Sequence, residues 1–279
     1  MHCEFAFSSK YFQDKSLWRI IINNQAIGIF DSGVGGLSVL KAIRELLPNE
    51  NLIYIADSKH TPYGSRSNQF VEERVHTIAQ FLVERPVKAL VVACNTATAA
   101  GVHSLREKYD IPIIGLEPAL KPAVEFSSSE KVGVLATQST LDSQKYQALR
   151  SRFIEHADII EKASPLFVEL VESAPEIGTE QVAMIEAELQ PFKKAKVEAL
   201  VLGCTHFPFL TTVISQIMGP EVTLFESAMP VAREVKRRIE NNLNSQPDSG
   251  WINYLSSAPD KAQETFNLLL KQKVDIDLF

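Results

Sequence analysis

The stretch VKALVVACNTAT, residues 87–98, decides how the chain folds. From Val87 to Ala93 it is an almost unbroken apolar run rich in valine, the mark of a strand buried on both faces rather than on one. The run stops at Cys94, and Asn95 and Thr96 follow at once. Such a cysteine is either a small hydrophobe finishing the strand or a thiol presented at the rim of a sheet.

Working outward, similar short runs recur at AIGIF (26–30), NLIYIA (51–56) and IPIIG (111–115). They continue with KVGVLA (131–136), ADIIE (157–161), VEALVLG (197–203) and VTLF (222–225). Amphipathic stretches lie between them. GLSVLKAIRELL sets Leu37, Leu40, Ile43 and Leu47 on one helical face, and Pro48 and Asn49 end it. Strands alternating with helices predict an α/β fold of mostly parallel sheets flanked by helices. PALKPAVEFSSSEK (118–131), with two prolines and a serine run, is the best junction between two halves. A second crossing near Ser227–Pro230, before the charged helix VAREVKRRIENNL, would return the C-terminal segment to the first half. The expected division is an N-terminal extension at 1–25, a first domain at 26–120 plus 230–279, and a second at 121–229. Residues 241–250 are a polar loop.

A chain of 279 residues with 45% hydrophobic and 22% charged residues is an ordinary globular composition. The net charge of −6 disfavours a nucleic-acid partner, which wants a basic surface. No apolar run has the length of a membrane span, and the N-terminus lacks the apolar core of a signal peptide. Cys3, Cys94 and Cys204 match no disulfide framework or zinc motif. Free thiols of this kind fit a reducing cytoplasm, so a cytoplasmic protein without metal is expected.

One internal echo carries more weight. VKALVVACNTAT and VEALVLGCTHFP (197–208) align without a gap, placing Cys94 and Cys204 in matching positions 110 residues apart. Each thiol ends an apolar strand, where open α/β sheets bind their ligands. A lone cysteine after such a run would usually just pack. Two in matched contexts, each beside threonine and asparagine or histidine, are poor core filling because their polar neighbours need partners.

Other stretches carry chemistry-bearing side chains. In IGIFDSGVGGLSVL (27–40) the strand delivers Asp31 and Ser32 to its carboxyl end, and Gly33, Gly35 and Gly36 permit a tight turn into a helix whose N–H groups favour an anion. Simple turn geometry explains those glycines as well, and an N-cap role explains Asp31 equally. GCTHFP pairs Cys204 with His206 as thiolate and imidazole. ADSKHTPYGSRS (56–67) is a polar loop whose Tyr63 and Gly64 offer backbone contacts to a ligand. In PLFVELVES (165–173), Glu169 and Glu172 share one helical face, where solvated charges are usual.

Two thiols facing each other across a cleft suit inversion of a stereocentre. One base removes a proton from one face, one acid returns a proton to the other, and equivalent groups exchange roles to run the reaction both ways. A thiol titrates closer to neutrality than a carboxylate, and a helix N-terminus or imidazole lowers it further. Asp31 would serve one thiol and His206 the other.

The set Asp31-Ser32-Gly33-Val34-Gly35-Gly36-Leu37, Pro62-Tyr63-Gly64, Ala93-Cys94-Asn95-Thr96-Ala97 and Gly203-Cys204-Thr205-His206-Phe207-Pro208 closely resembles the glutamate racemases, a branch of the cofactor-independent aspartate/glutamate racemases. The likeness runs in order from about Ile27 to about Arg238. It implies two similar α/β domains with the active site in the cleft between them. It also implies interconversion of L- and D-glutamate without a cofactor, the D-enantiomer serving peptidoglycan synthesis. Carried over, Cys94 acts on D-glutamate and Cys204 on L-glutamate, with Asp31, His206 and Glu172 assisting. Asp31, Ser32, Tyr63, Gly64, Asn95, Thr96, Thr205 and His206 would contact the substrate. Where the family often has Ala-Cys-Pro before the acidic helix, this chain has Ala163-Ser164-Pro165, which loosens the register of Glu172. The extension at 1–25 resembles that of members activated by a peptidoglycan precursor; a simple tail or a misassigned start fits it as well. A homodimer is left open. Two other functions compete: a cysteine hydrolase with Cys204 as nucleophile and His206 as base, and a two-domain amino-acid-binding protein. Neither uses the matched Cys94.

Overall fold

The computed structural model describes residues 24–173 and 177–279. Most of the extension expected at 1–25, and Cys3 with it, lies outside the described residues. The apolar runs become strands buried along their length: β1 (Ala26–Asp31), β2 (Leu52–Ala56) and β3 (Val87–Val92). With β4 (Ile113–Gly115) and two late strands, β9 (Ile252–Ser256) and β10 (Ile276–Leu278), they form a six-stranded sheet ordered β10-β9-β2-β1-β3-β4. A second sheet, ordered β6-β5-β7-β8, joins β5 (Lys131–Ala136), β6 (Asp158–Ala163), β7 (Ala199–Leu202) and β8 (Thr223–Phe225). Every pairing in both sheets is parallel.

Counted from its own start, each half lays its first four strands in the same order: second, first, third, fourth. The two echo segments supply the third strand of each, β3 and β7. The halves are therefore topologically alike, and Cys94 and Cys204 leave equivalent strands.

Helices cover the sheets, as parallel crossovers require. The first sheet carries α1 (Leu37–Leu46), α2 (Asn68–Val83) and α3 (Asn95–Lys108). The second carries α4 (Leu120–Phe126), α5 (Gln138–Asp142), α6 (Gln144–Ser151), α7 (Pro165–Glu172), α8 (Thr179–Ala195) and α9 (Thr211–Met218). The chain then returns: α10 (Ala228–Arg238) packs on α1, and α11 (Pro259–Leu270) lies beside β9 and β10. One apolar core is continuous across both halves, from Leu40 and Ile43 of α1 and Val235 of α10 to Phe207 and Phe192. Among the described residues no helix is long and apolar enough to cross a membrane.

The elements that differ from expectation have physical causes. Strands β9 and β10 are absent from the sequence reading because they carry no apolar run; Asn253, Asp277 and Leu278 are exposed on this side of the sheet. Strand β6 extends past Glu161, the end of the expected run, to Ala163: Lys162 is matched by Glu188 at 3.3 Å, as Glu161 is by Arg150 at 3.0 Å. Lys88, the one charge in the opening run, is buried against Glu50 at 2.5 Å and donates to the Asn242 carbonyl at 2.7 Å. It thus ties the segment after α10 to the first sheet. Its counterpart in the echo, Glu198, accepts hydrogen bonds from the Ser128 and Ser129 N–H groups and so holds the serine run of the junction.

Candidate active site

A small cavity lies between the halves. Ser32 follows β1; Pro62, Tyr63 and Gly64 follow β2; Cys94, Asn95 and Thr96 follow β3. From the second half come Thr137 and Thr140 after β5, Val168 after β6, and Cys204, Thr205 and His206 after β7. Every bordering segment follows the carboxyl end of a parallel strand, the general place for ligands in such sheets. The volume is ≈ 20 Å³, room for about one water molecule. As it stands, this cavity is too small to hold an amino acid.

Cys94 is the N-cap of α3. Its extended backbone turns the thiol back so that Sγ accepts from the Ala97 N–H at 3.4 Å, with Ser32 Oγ at 3.8 Å. A helix N-terminus alone would lower a thiol pKa, as the sequence suggested. Here the direction is reversed: burial, then the Asp31 carboxylate, push Cys94 up to about 12, against the smaller pull of Ala97. Cys94 therefore holds its proton at neutral pH.

Cys204 faces a different environment. Its Sγ lies 3.6 Å from His206 Nδ1, while His206 Nε2 donates to Glu172 Oε1 at 2.6 Å. Burial opposes charge on His206, yet Cys204 and Glu172 outweigh it and hold the imidazolium well above its ordinary pKa. Burial likewise opposes Glu172, but His206 keeps that carboxylate below its usual range. Glu172 Oε1 also accepts from the Val34 N–H at 2.9 Å, so the acidic helix of the second half is docked on the glycine loop of the first. Glu172 is thus no solvated charge, whereas Glu169 is exposed.

Asp31 is fully buried at the end of β1. It does not cap α1, whose N-cap is Gly36. One oxygen accepts from the Gly33 N–H at 2.7 Å and the other from Thr205 Oγ1 at 2.9 Å. It therefore bonds to the neighbour of Cys204 and acts on Cys94 through its charge. Burial raises its pKa to about 6, against the attraction of His206.

The Asp31 shift runs against folded stability. Relative to an ordinary carboxyl at 3.8, a folded value near 6 penalises the folded state once Asp31 ionises. The penalty is absent below pH 3.8, grows between the two values and reaches about 3 kcal/mol above them. Asp31→Asn is expected to raise stability by up to that amount at pH 7.5 and by little at pH 4, while activity falls. Urea midpoints at the two pH values check this; equal midpoints at pH 7.5 would refute it.

A further correction concerns the glycines. Among the described residues Gly219 is the one glycine with positive φ, so Gly33, Gly35 and Gly36 are not demanded by turn geometry. Space demands them: a Cβ on Gly33 would lie 1.9 Å from Glu172 Oε1, and one on Gly35 would lie 2.3 Å from His206 Nδ1. Tyr63 borders the cavity, and its hydroxyl donates to Asp57 at 2.5 Å, which leaves its backbone and Gly64 for a ligand.

Thr137 and Thr140 were missed as bordering residues. Their hydroxyls lie 2.8 Å apart, and Thr137 meets Thr96 across the two halves at 3.1 Å. The signal was present, since TQST directly follows the strand KVGVLA. Asn95 Oδ1 is buried without a hydrogen-bond partner among the described residues, an acceptor ready for a ligand donor. No group of three or more His, Cys, Asp or Glu side chains among the described residues could hold a metal ion.

Paired parallel α/β domains with two thiols bordering one cavity between them are an arrangement suited to inverting a stereocentre, and comparison with known proteins identifies the class, an amino-acid racemase. The family model for Asp/Glu/hydantoin racemases matches residues 27–233. A glutamate racemase from Methylococcus capsulatus is 47% identical over 219 residues, covering 78% of this chain and 80% of that protein. Among solved structures, a glutamate racemase isoform from Bacillus anthracis superposes with a TM-score of 0.84 at 31% identity, covering 92% of this chain and 98% of its own. Glutamate racemase from Escherichia coli, solved with L-glutamate and the activator UDP-MurNAc-ala, gives 0.81 at 32% identity, covering 91% and 98%. The chain belongs to the Asp/Glu/hydantoin racemase family and, within it, to the glutamate racemases.

Proposed function

We propose that this protein interconverts L- and D-glutamate without a cofactor, with Cys94 and Cys204 as the two bases. The observation that carries it is that two thiols, each leaving the equivalent strand of its half, border one cavity. With L-glutamate, the Cys204 thiolate, stabilised by the His206 imidazolium, takes the Cα proton; the C–H bond breaks and an S–H bond forms. The electron pair left on Cα takes the proton of the Cys94 thiol from the opposite face, giving D-glutamate and a Cys94 thiolate. Exchange of protons with water restores the starting state, and the reverse reaction swaps the roles. The high pKa of Cys94 suits it to the acid role in the first direction.

Asp31, Glu172 and His206 set the charges around the thiols. Ser32, Asn95, Thr96 and Thr205, with the Tyr63 and Gly64 backbone, bind the amino and carboxylate groups. Stabilisation of the carbanion comes from such donors aimed where charge develops. The E. coli relative, solved with its activator UDP-MurNAc-ala, supports a place in supplying D-glutamate for peptidoglycan, and activation by a precursor of that polymer. The sheets further support a division at 26–120 plus 230–279 and 121–229.

Incubation in deuterium oxide with either enantiomer, without added cofactor, is expected to place deuterium at Cα while optical rotation decays to zero. Folded protein that exchanges neither enantiomer would sink the proposal. Hydrolysis of an amide or ester through Cys204 without exchange would favour the hydrolase instead.

A further inference from the structure

The loop after β2 forms one wall of the cavity through Pro62, Tyr63 and Gly64, the last two in a short 3-10 turn, Tyr63–Ser65. Its first residue, Asp57, is fully buried and does not border the cavity. The Asp57 N–H donates to the Asp31 carbonyl at 3.0 Å, so the loop starts pinned to the strand that delivers Asp31. Its carboxylate gathers donors from three side chains. Oδ2 accepts from the Tyr63 hydroxyl at 2.5 Å and Arg74 Nε at 2.8 Å. Oδ1 accepts from Arg74 Nη2 at 3.0 Å and His60 Nδ1 at 2.8 Å.

Removing a carboxylate from water is costly, and a loop can be capped by a neutral side chain. What this pair adds is a fixed, two-pronged geometry that Arg74 imposes from α2. The end point of that geometry is the hydroxyl of Tyr63, a residue that borders the cavity. The outer side of the loop is secured by the C-terminal segment: the Lys59 N–H donates to Ser257 Oγ at 3.0 Å, and Lys261 Nζ to the Ser58 carbonyl at 3.3 Å. Both C-terminal residues lie beyond the 27–233 match to the family model.

We infer that Asp57, clamped by Arg74, is a positioning residue: by holding the Tyr63 hydroxyl it presents the Pro62–Tyr63–Gly64 backbone to the substrate and sets its affinity. The inference rests on the racemase reading of the cavity. The loop carries neither thiol, so a loosened loop weakens binding of substrate and transition state alike; KM rises and kcat holds. A wall fixed before the substrate arrives also spares the ordering cost at binding.

Steady-state kinetics of the full chain with both enantiomers test it. Tyr63→Phe keeps the ring and removes the hydroxyl; KM is expected to rise about 10-fold, with kcat within about twofold of wild type. Asp57→Asn is expected to go further in the same direction, and the double variant to be no worse than Asp57→Asn alone, because both break one unit. Arg74→Lys, which keeps the charge but loses the fork, is expected to fall between wild type and Asp57→Asn. If Asp57→Asn does not fold, Tyr63→Phe and Arg74→Lys carry the test. An unchanged KM in Tyr63→Phe, a loss confined to kcat, or effects that multiply in the double variant would each overturn the inference while leaving an active wild-type racemase intact. A wild type unable to racemise glutamate would instead remove the functional reading, and this inference with it.

Discussion

Cys94→Ala and Cys204→Ala are each expected to lose racemisation in both directions by at least about 10³-fold, the scale on which a positioned acid or base contributes. Both thiols are nearly free of solvent, at 6% and 8% exposure, and each substitution removes a single sulfur atom. Cys94 Sγ gives up one weak cap to α3, which costs about 1 kcal/mol. The variants should differ in what they retain. Without Cys94, Cys204 and His206 can still remove and return a proton on one face, so L-glutamate exchanges with deuterium oxide without inverting. Without Cys204, the same holds for D-glutamate. Polarimetry and mass measurement of each enantiomer check both halves. Turnover near wild type in either variant would end the two-base mechanism for this protein.

Gly35→Ala is expected to lower kcat/KM at least about 100-fold while the protein stays folded. The new methyl carbon would lie within 2.7 Å of three atoms of the His206 ring: Nδ1, Cε1 and Cγ. The ring has no room to yield, because Nε2 is bonded to Glu172 and Nδ1 faces Cys204. The remaining way to relieve the clash is to separate the halves, which pulls His206 from the glycine loop. The sheets keep their cores, so thermal unfolding should stay cooperative and circular dichroism unchanged. A Gly35→Ala enzyme with ordinary kinetics would show that the closed packing of His206 on this loop is unnecessary for turnover.

The site was partly legible in the sequence. Cys94 and Cys204 stood out through the gapless echo of their strands, and Asp31 and Ser32 through their place at a strand end. Glu172 did not stand out from its own neighbourhood: helical spacing pairs it with exposed Glu169, and only contact with His206 and the Val34 N–H separates the two. Thr137 and Thr140 were legible by the same strand-end rule and were passed over. Strands β9 and β10 were not legible: β10 is an edge strand half in water, and β9, paired between β2 and β10, is buried only at Tyr254 and Ser256, so neither needs an apolar run.

The sequence by itself determined the alternation of parallel strands and helices and the thiol that ends the third strand of each half. Local periodicity and strand burial are written in neighbouring residues, so they can be read one segment at a time. The tertiary structure alone decided that the glycines answer to space rather than to backbone conformation. It also decided that Cys94 is held protonated while His206 is held charged. Close approach and desolvation arise between residues as far apart as Gly35 and His206 or Asp31 and Thr205, and no local pattern records them.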